Sequence, residues 1–379
     1  MGLVGGGPDA FIGNVHRMAS RIDGQIELVC GAFSSSAEKS KAAGQALFLD
    51  PARSYAGFDE MFAEEAKLPS DQRMEFVGIV TPNHLHFPIA AAALKHGFHV
   101  MCEKPATFTL AECLELEKIV NESGLLFGVT HTYTGYPLVT EARERVARGD
   151  LGDIVKVVAE YNQGWLAGVS DDDAGKQAAW RMDPERAGIS CCMGDIGVHA
   201  ANLAETITGL EIKEVLADLG AVQPGRRLDD DGSVMLRFNN GARGLLFASQ
   251  ISVGEENNLK IRVYGTKAGL EWHQQDPNTL WIKHNDKPTE MLRAGMPYLS
   301  EAATAGTRTP PGHPEGYLEA FGNLYKDFAT AVREERGKTP RPGIKAIAGV
   351  PGIEDAVAGM KFIETVVKSS DDGNVWRSV

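Results

Sequence analysis

Three residues in this chain have the types and spacing to do chemistry: Lys104, Asp195 and His199. Lys104 stands in Glu103-Lys104-Pro105, directly after the apolar run Gly97-Phe-His-Val-Met-Cys102, and the proline fixes the backbone beyond it. An ammonium held at the end of a buried strand is placed to donate to an oxygen that gains negative charge. Asp195 and His199 lie four residues apart in a helix-like stretch, so their side chains share a face. A carboxylate at that spacing orients an imidazole, and an imidazole titrating near neutrality takes the proton from an alcohol. The bland alternative, Asp195 as a helix cap with a half-buried His199, is weighed against the presence of Lys104 and of a glycine loop.

That loop is Gly5-Gly6-Gly7-Pro8-Asp9-Ala10, which fits GxGxxA read from Gly5, with Gly13 as a displaced third glycine. Gly5 and Gly7 supply the tight turn and bare backbone that let a pyrophosphate approach the amides of a helix start, here Ala10, Phe11 and Ile12. The tip of the second strand, Phe33-Ser34-Ser35-Ser36, has no carboxylate to hold an adenosine ribose and repel a 2′-phosphate. Ser34, Ser35 and Lys39 accept a phosphate, which tips the cofactor, NAD or NADP, slightly toward NADP. Equally, Ser36 caps the next helix and Lys39 is solvated. Thr81-Pro82-Asn83-His84-Leu85-His86 follows a strand directly, which places Thr81, Asn83 and His86 at the cofactor edge, with Asn83 also readable as an N-cap. His84 and His86 have no acidic or cysteine ligand beside them, so no metal is expected.

These residues need particular elements to position them. Short apolar runs at 26–33, 76–81, 98–102 and 125–129 alternate with helix-like stretches at 36–46, 84–95 and 110–123. Such alternation calls for a parallel sheet with helices on both faces and a ligand site at the carboxyl ends of its strands. After Gly149 the rhythm changes. A helix-like stretch at 195–208, closed by Gly209, precedes strand candidates at 214–222, 232–238, 242–250, 259–264, 269–272 and 279–283, a largely antiparallel pattern. Helix-like segments at 316–336 and 344–368 close the sequence. The expected organisation is a Rossmann-type α/β domain over 1–133, followed by an α+β domain with an open mixed sheet over 134–379.

The chain has 379 residues, 43% of them hydrophobic, enough for two cores. A net charge of -13 without a basic block argues against nucleic acid or an anionic membrane as partner. The five cysteines are scattered and include the adjacent Cys191-Cys192, which matches neither a disulfide framework nor a CxxC site, so a reducing cytoplasm is expected. There is no stretch of about 18 apolar residues and no charged-then-apolar leader. Met1–Val4 is short for a first strand, so the natural start is expected to lie further upstream.

Taken together, the glycine-rich start, Thr81-Pro82-Asn83, Glu103-Lys104-Pro105, Trp180-Arg181 ahead of Ala187-Gly188, and Asp195-x-x-x-His199 resemble the Gfo/Idh/MocA family of NAD(P)-dependent oxidoreductases acting on sugars and polyols. The resemblance covers essentially the whole chain. It implies a Rossmann domain, an open mixed-sheet domain, a homo-dimer or homo-tetramer, a Lys-Asp-His catalytic set, and Glu103, Lys104, Trp180 and Arg181 at the cofactor. The chain departs from the family at Gly188-Ile-Ser-Cys-Cys-Met193, where a run of glycines is more common. A substrate pocket is expected around His131, Tyr133, Tyr161, Asn162, Trp165 and Arg181, with Lys104, Asp195 and His199, and with His313 reaching in from a loop. Aromatic faces with polar heads suit a carbohydrate ring, and the scarcity of basic residues favours a neutral sugar, cyclitol or glycoside. Two rival readings are a glycosidase using bound NAD for transient oxidation and a dinucleotide-binding sensor without chemistry.

Overall fold

The computed structural model describes residues 1–7, 10–169 and 175–379. Pro8-Asp9 within the glycine motif, and the run Asp171-Asp172-Asp173 read as a solvated loop, lie outside the described residues. The chain forms two compact units, Met1–Thr132 with Phe321–Val357, and Tyr133–Ala320 with Ala358–Val379.

The first unit holds β1 (Gly2–Gly5), α1 (Phe11–Arg21), β2 (Cys30–Ala32), α2 (Ala37–Ala46), α3 (Phe58–Glu65), β3 (Phe76–Val80), α4 (His86–Lys95), β4 (His99–Cys102), α5 (Leu110–Ser123) and β5 (Phe127–Val129). Its five strands are parallel in the order β2-β1-β3-β4-β5. β3 is buried at every position, as a strand covered on both faces must be. Local chemistry sets the helix ends. Ser36 caps α2 by accepting from Lys39 N, while Thr109 and Glu112 form a reciprocal capping box at α5 and Gly124, at φ 61°, ends that helix. The register pairs Gly5 with Val80 and Ile79 with Cys102, so the segments after β1, β3 and β4 leave from one edge.

The second unit holds α6 (Pro137–Ala147), β6 (Ile154–Asn162), α7 (Lys176–Arg181), α8 (Pro184–Ala187), α9 (Val198–Thr208), β7 (Ile212–Gly220), β8 (Asp231–Phe238), β9 (Arg243–Ser249), β10 (Asn258–Gly265), β11 (Gly269–His273), β12 (Thr279–Lys283), β13 (Glu290–Arg293) and α10 (Glu301–Ala305), with β14 (Arg377–Ser378) at its edge. Nine strands run in the order β13-β12-β11-β10-β6-β9-β8-β7-β14. All neighbours are antiparallel except β6 and β9. The helix expected at 195–208 is a π-helical turn, Met193–Gly197, running into α9. α9 packs on β6, β9 and β10, which buries His199.

Two long helices, α11 (Tyr317–Glu335) and α12 (Ile353–Asp371), complete the chain. The sequence reading puts everything from 134 onward in the second domain, whereas Phe321–Val357 belongs to the first unit. The reason is aromatic: Phe321, Tyr325 and Phe328 are fully buried and pack on His16 and Phe76. α12 begins nine residues later than the expected 344, because Pro351-Gly352 keeps the preceding backbone out of the helix. Among the described residues, no helix is long and apolar enough to cross a membrane.

Candidate active site

In the first unit, Gly5 and Gly6 adopt φ 85° and 68°, a region only glycine enters without strain. A Cβ on Gly13 would lie 2.3 Å from Gly6 Cα, so Gly13, not Ala10, takes the part of the third glycine that lets α1 close on the loop. Ala10 is instead the N-cap of α1 and provides no side-chain bond, which leaves the first amides of that helix for an anion. Phe11 at the first helical position is exposed and Ile12 half-buried. Arg17 donates to Gly6 O and fixes the loop from below.

The neighbouring strand ends are equally committed. Thr81 Oγ1 is buried with no hydrogen-bond partner, an orphan at the carboxyl end of β3 that a cofactor's polar group would satisfy. Asn83 is buried in a short 3₁₀ turn, Asn83–Leu85, whose N-cap is Pro82, and Leu85 is the N-cap of α4. His86 is fully buried with Nδ1 2.7 Å from Pro105 O and Nε2 2.8 Å from Thr81 O. Burial lowers its pKa against those two carbonyls, and the ring ties the Thr81 segment to the Lys104-Pro105 segment. At the tip of β2, Ser36 Oγ is used by the α2 cap and Ser34 Oγ accepts from Ser36 N, while Ser35 and Lys39 are exposed.

Glu103 turns inward. Its Oε1 accepts from His16 Nε2 (2.8 Å) and Thr130 Oγ1 (2.5 Å), and its Oε2 from Lys104 N (3.3 Å). His16 Nδ1 in turn meets Tyr325 OH at 2.6 Å. Burial alone would raise the Glu103 pKa, but the bonds from His16 and Thr130 bring it below the usual carboxylate value. Glu103, expected at the cofactor, is buried and its Oε2 also takes the amide of Lys104. Sequence reasoning missed His16, Thr130 and Tyr325, although a histidine on the inner face of an amphipathic helix was a visible signal. His131 follows β5, and burial, with the nearby Lys104 charge, pushes its pKa down to about 3, so it is a neutral imidazole.

In the second unit, Asp195 sits on the π-helical turn, a distortion frequent at functional positions. Its Oδ2 accepts from Arg181 Nε (3.1 Å) and Gln250 Nε2 (3.0 Å). Arg181 also lies 4.4 Å from the Trp180 ring centre and 5.9 Å from that of Trp165. His199 is in the first turn of α9, with the Tyr133 ring edge-on at 4.9 Å and Tyr161 at 6.4 Å. Tyr133 and Tyr161 share a hydroxyl hydrogen bond, Tyr161 OH donates to Asn257 Oδ1 (2.7 Å), and Asn257 Nδ2 donates to Tyr133 OH (3.2 Å). Gln163 and Trp165 extend this network, Gln163 Nε2 to Asn257 Oδ1 and Trp165 Nε1 to Gln163 Oε1. Asn162 Oδ1 is a second buried orphan acceptor.

Asn257 and Tyr317 also line a cavity of about 580 Å³ with Glu256, Gln274, Asp276 and Asn278, and no lysine or arginine lines it. His313 is exposed, its ring bonded to Pro310 O, so it stays with its own loop. Gln250 and Asn257 were missed, yet each is a polar residue directly after or before an apolar strand. Among the described residues no three His, Cys, Asp or Glu side chains gather as a metal site.

A parallel sheet with a glycine loop at its carboxyl edge, followed by a mixed sheet covered by a helix with an Asp-x-x-x-His pair at its start, defines the class of nicotinamide-dependent oxidoreductases with a Rossmann domain. The comparisons narrow this. Residues 1–131 match the model described as oxidoreductase family, NAD-binding Rossmann fold, and residues 139–271 match the GFO/IDH/MocA C-terminal domain. The uncharacterized oxidoreductase YfiI of Bacillus subtilis is 35% identical over 99% of this chain and 95% of its own. Levoglucosan dehydrogenase of Pseudarthrobacter phenanthrenivorans is 28% identical over 98% and 96%. The crystal structure of an inositol dehydrogenase homolog from Azotobacter vinelandii, complexed with NAD+, superposes with a TM-score of 0.92 at 35% identity, covering 100% of this chain and 96% of that one. The chain belongs to the GFO/IDH/MocA family and is an NAD(P)-dependent oxidoreductase acting on CH–OH groups, in a family of sugar and cyclitol dehydrogenases.

Proposed function

We propose that this protein oxidises a secondary alcohol of a neutral sugar, cyclitol or simple glycoside. His199 takes the hydroxyl proton, Lys104 donates to the oxygen as it becomes a carbonyl, and Asp195 binds a neighbouring hydroxyl. The dinucleotide, when bound, accepts the hydride. The observation that carries the reading is in the first unit: the Gly5–Gly7 loop and Lys104 leave one edge of the same parallel sheet. A sensor would have no need of a lysine there, with its amide held by Glu103. The orphan Thr81 Oγ1 and the uncapped start of α1 support a dinucleotide at that edge.

For the substrate, the hydroxyl and amide groups of Tyr133, Tyr161, Gln163 and Asn257 beside His199 support a neutral, hydroxyl-rich molecule. The relatives named for levoglucosan and inositol support the same class. The carrier is NAD in this reading, because the Azotobacter neighbour was solved with NAD+. Ser34, Ser35 and Lys39 leave NADP admissible. A panel of inositols, levoglucosan, pentoses and glycosides, followed by NADH and NADPH absorbance, tests the reading. Turnover of a neutral polyol with a higher kcat/KM for NAD supports it; hydrolysis of a glycoside without net cofactor reduction overturns it.

The mixed sheet also supports a homo-oligomer. One rung runs Met235, Leu245, Val158, Arg262, Glu271, Trp281 and Met291 across six neighbouring pairings, and Met235, Leu245, Trp281 and Met291 are 49%, 43%, 37% and 51% exposed. Such a run of large apolar side chains on one face fits a second copy of the chain. All five cysteines are buried free thiols, which supports a cytoplasmic home.

A further inference from the structure

The segment from Ser190 to Gly194, where this chain lacks the glycine run of its family, is pinned by one remote side chain. Asp229 Oδ1 accepts from Cys191 N (2.9 Å), and its Oδ2 accepts from Met193 N (2.9 Å) and Ser190 Oγ (2.9 Å). Its backbone carbonyl accepts from Cys192 N (3.0 Å), and Ser190 Oγ accepts from Gly194 N (3.0 Å). Every amide from 191 to 194 thus has a partner supplied by Asp229 or by the serine it holds, at the point where a helix start leaves its amides without internal partners. The next amide, that of Asp195, donates to Cys191 O (2.8 Å). Cys191 and Cys192 are fully buried, so packing and Asp229 fix a backbone that glycines would leave free.

The same strand end reaches the other side of Asp195. Asp230, fully buried, accepts from Val222 N (2.8 Å) and Gln223 N (3.1 Å), and its carbonyl accepts from Gln250 N (2.9 Å). Gln250 is the residue that donates to Asp195 Oδ2, and its own Oε1 accepts from Cys191 Sγ (3.3 Å). Asp195 is therefore held through its backbone by a segment clamped to Asp229, and through its carboxylate by a glutamine attached to Asp230. Asp229 and Asp230, adjacent in the sequence, are both buried and serve as interior supports.

We propose that Asp229 is a positioning residue for the Asp195 carboxylate, acting through the Ser190–Gly194 segment. This rests on the reading of Asp195 as a member of the substrate-binding, proton-transfer set. The test uses the full-length protein with myo-inositol and levoglucosan as probe substrates, and compares Asp229→Ala, Asp229→Asn and Ser190→Ala alone and in an Asp195→Asn background. Asp229→Ala is expected to lower kcat on the order of 100-fold, the cost of misplacing a reacting group by about 1 Å. NADH binding, read by fluorescence, should stay unchanged. Asp229→Asn keeps one carbonyl acceptor and should recover part of the loss. In the Asp195→Asn background the Asp229→Ala loss should vanish, because a residue acting through another is non-additive with it. Equal losses in both backgrounds, or an unaltered kcat, overturn the proposal.

Amide hydrogen exchange of the 188–198 peptide separates this from the functional reading. Faster exchange confined to that peptide in Asp229→Ala upholds the clamp even if Asp195→Asn turns over normally, a result that would sink only the role given to Asp195. Unchanged exchange there sinks the clamp whatever the kinetics.

Discussion

Lys104 is held from behind by charge and hydrogen bonding that the sequence did not advertise. Its predecessor Glu103 is buried against His16 and Thr130 and accepts from the Lys104 amide, so the backbone that carries the lysine is fixed. Lys104→Ala is expected to cut turnover by about 10²–10³-fold, the size of a lost donor to a developing oxyanion, and to leave NADH affinity nearly intact. His199→Asn should cost about 10²–10⁴-fold, the range for a general base. Stopped-flow kinetics and NADH fluorescence check both, and retained turnover in either variant refutes its assigned role. The buried histidines give a pH signature. His131 and His99 titrate at about 3 and about 4 in the fold, burial being the first cause in each, against about 6.5 when unfolded. Between those values the unfolded chain binds more protons, so stability is full above about pH 6.5 and falls as pH drops below it. The melting temperature should therefore fall from about pH 7 to about pH 5. The fall should be smaller in His99→Gln, whose amide oxygen can still accept from Leu126 N.

Elements differ in how openly the sequence announces them. β3 and β12 were legible because a buried parallel strand is apolar throughout and a half-covered antiparallel strand alternates. β6 was not, although Ile154, Val157, Ala159 and Tyr161 are buried at near-alternate positions. It enters the sheet between β10 and β9, far from either in sequence, and no turn signal links it to a partner. The glycine loop was legible, but the roles within it were shifted by the Gly6–Gly13 contact, which depends on a helix angle rather than on spacing. That contact is testable. Gly13→Ala should raise the NADH Kd by about tenfold or more, about 1.4 kcal/mol, whereas Gly57→Ala, whose Cβ meets open space, should not. At α5, Thr109→Ala removes the side-chain acceptor of the capping box while Glu112 Oε2 still accepts from the amide of residue 109, and it should cost about 1 kcal/mol of stability in denaturant titration.

For the whole molecule, the exposed rung of the mixed sheet makes assembly the property to measure. Leu245→Glu places a charge opposite Met235 on that face and is expected to shift the protein to a smaller species in light scattering, with its fold unchanged by circular dichroism. A mass equal to that of the unaltered protein would remove this face from the interface. The two-domain plan was legible, because alternating periodicity gives way to successive strands. The return of Phe321–Val357 to the first unit was not, since an amphipathic helix says that it will be covered but not by which partner.

That return sets an order of events on the ribosome. His16 and Glu103 are among the earlier residues to emerge, while Tyr325, the hydroxyl that closes their network, is separated from His16 by 309 positions. The nascent nucleotide-binding unit must wait for almost the entire polypeptide before Phe321, Tyr325 and Phe328 arrive to shield its apolar surface. An early stop codon anywhere between the two segments leaves that surface bare, a ready substrate for chaperones or proteolysis, even though every strand of the sheet has already been translated.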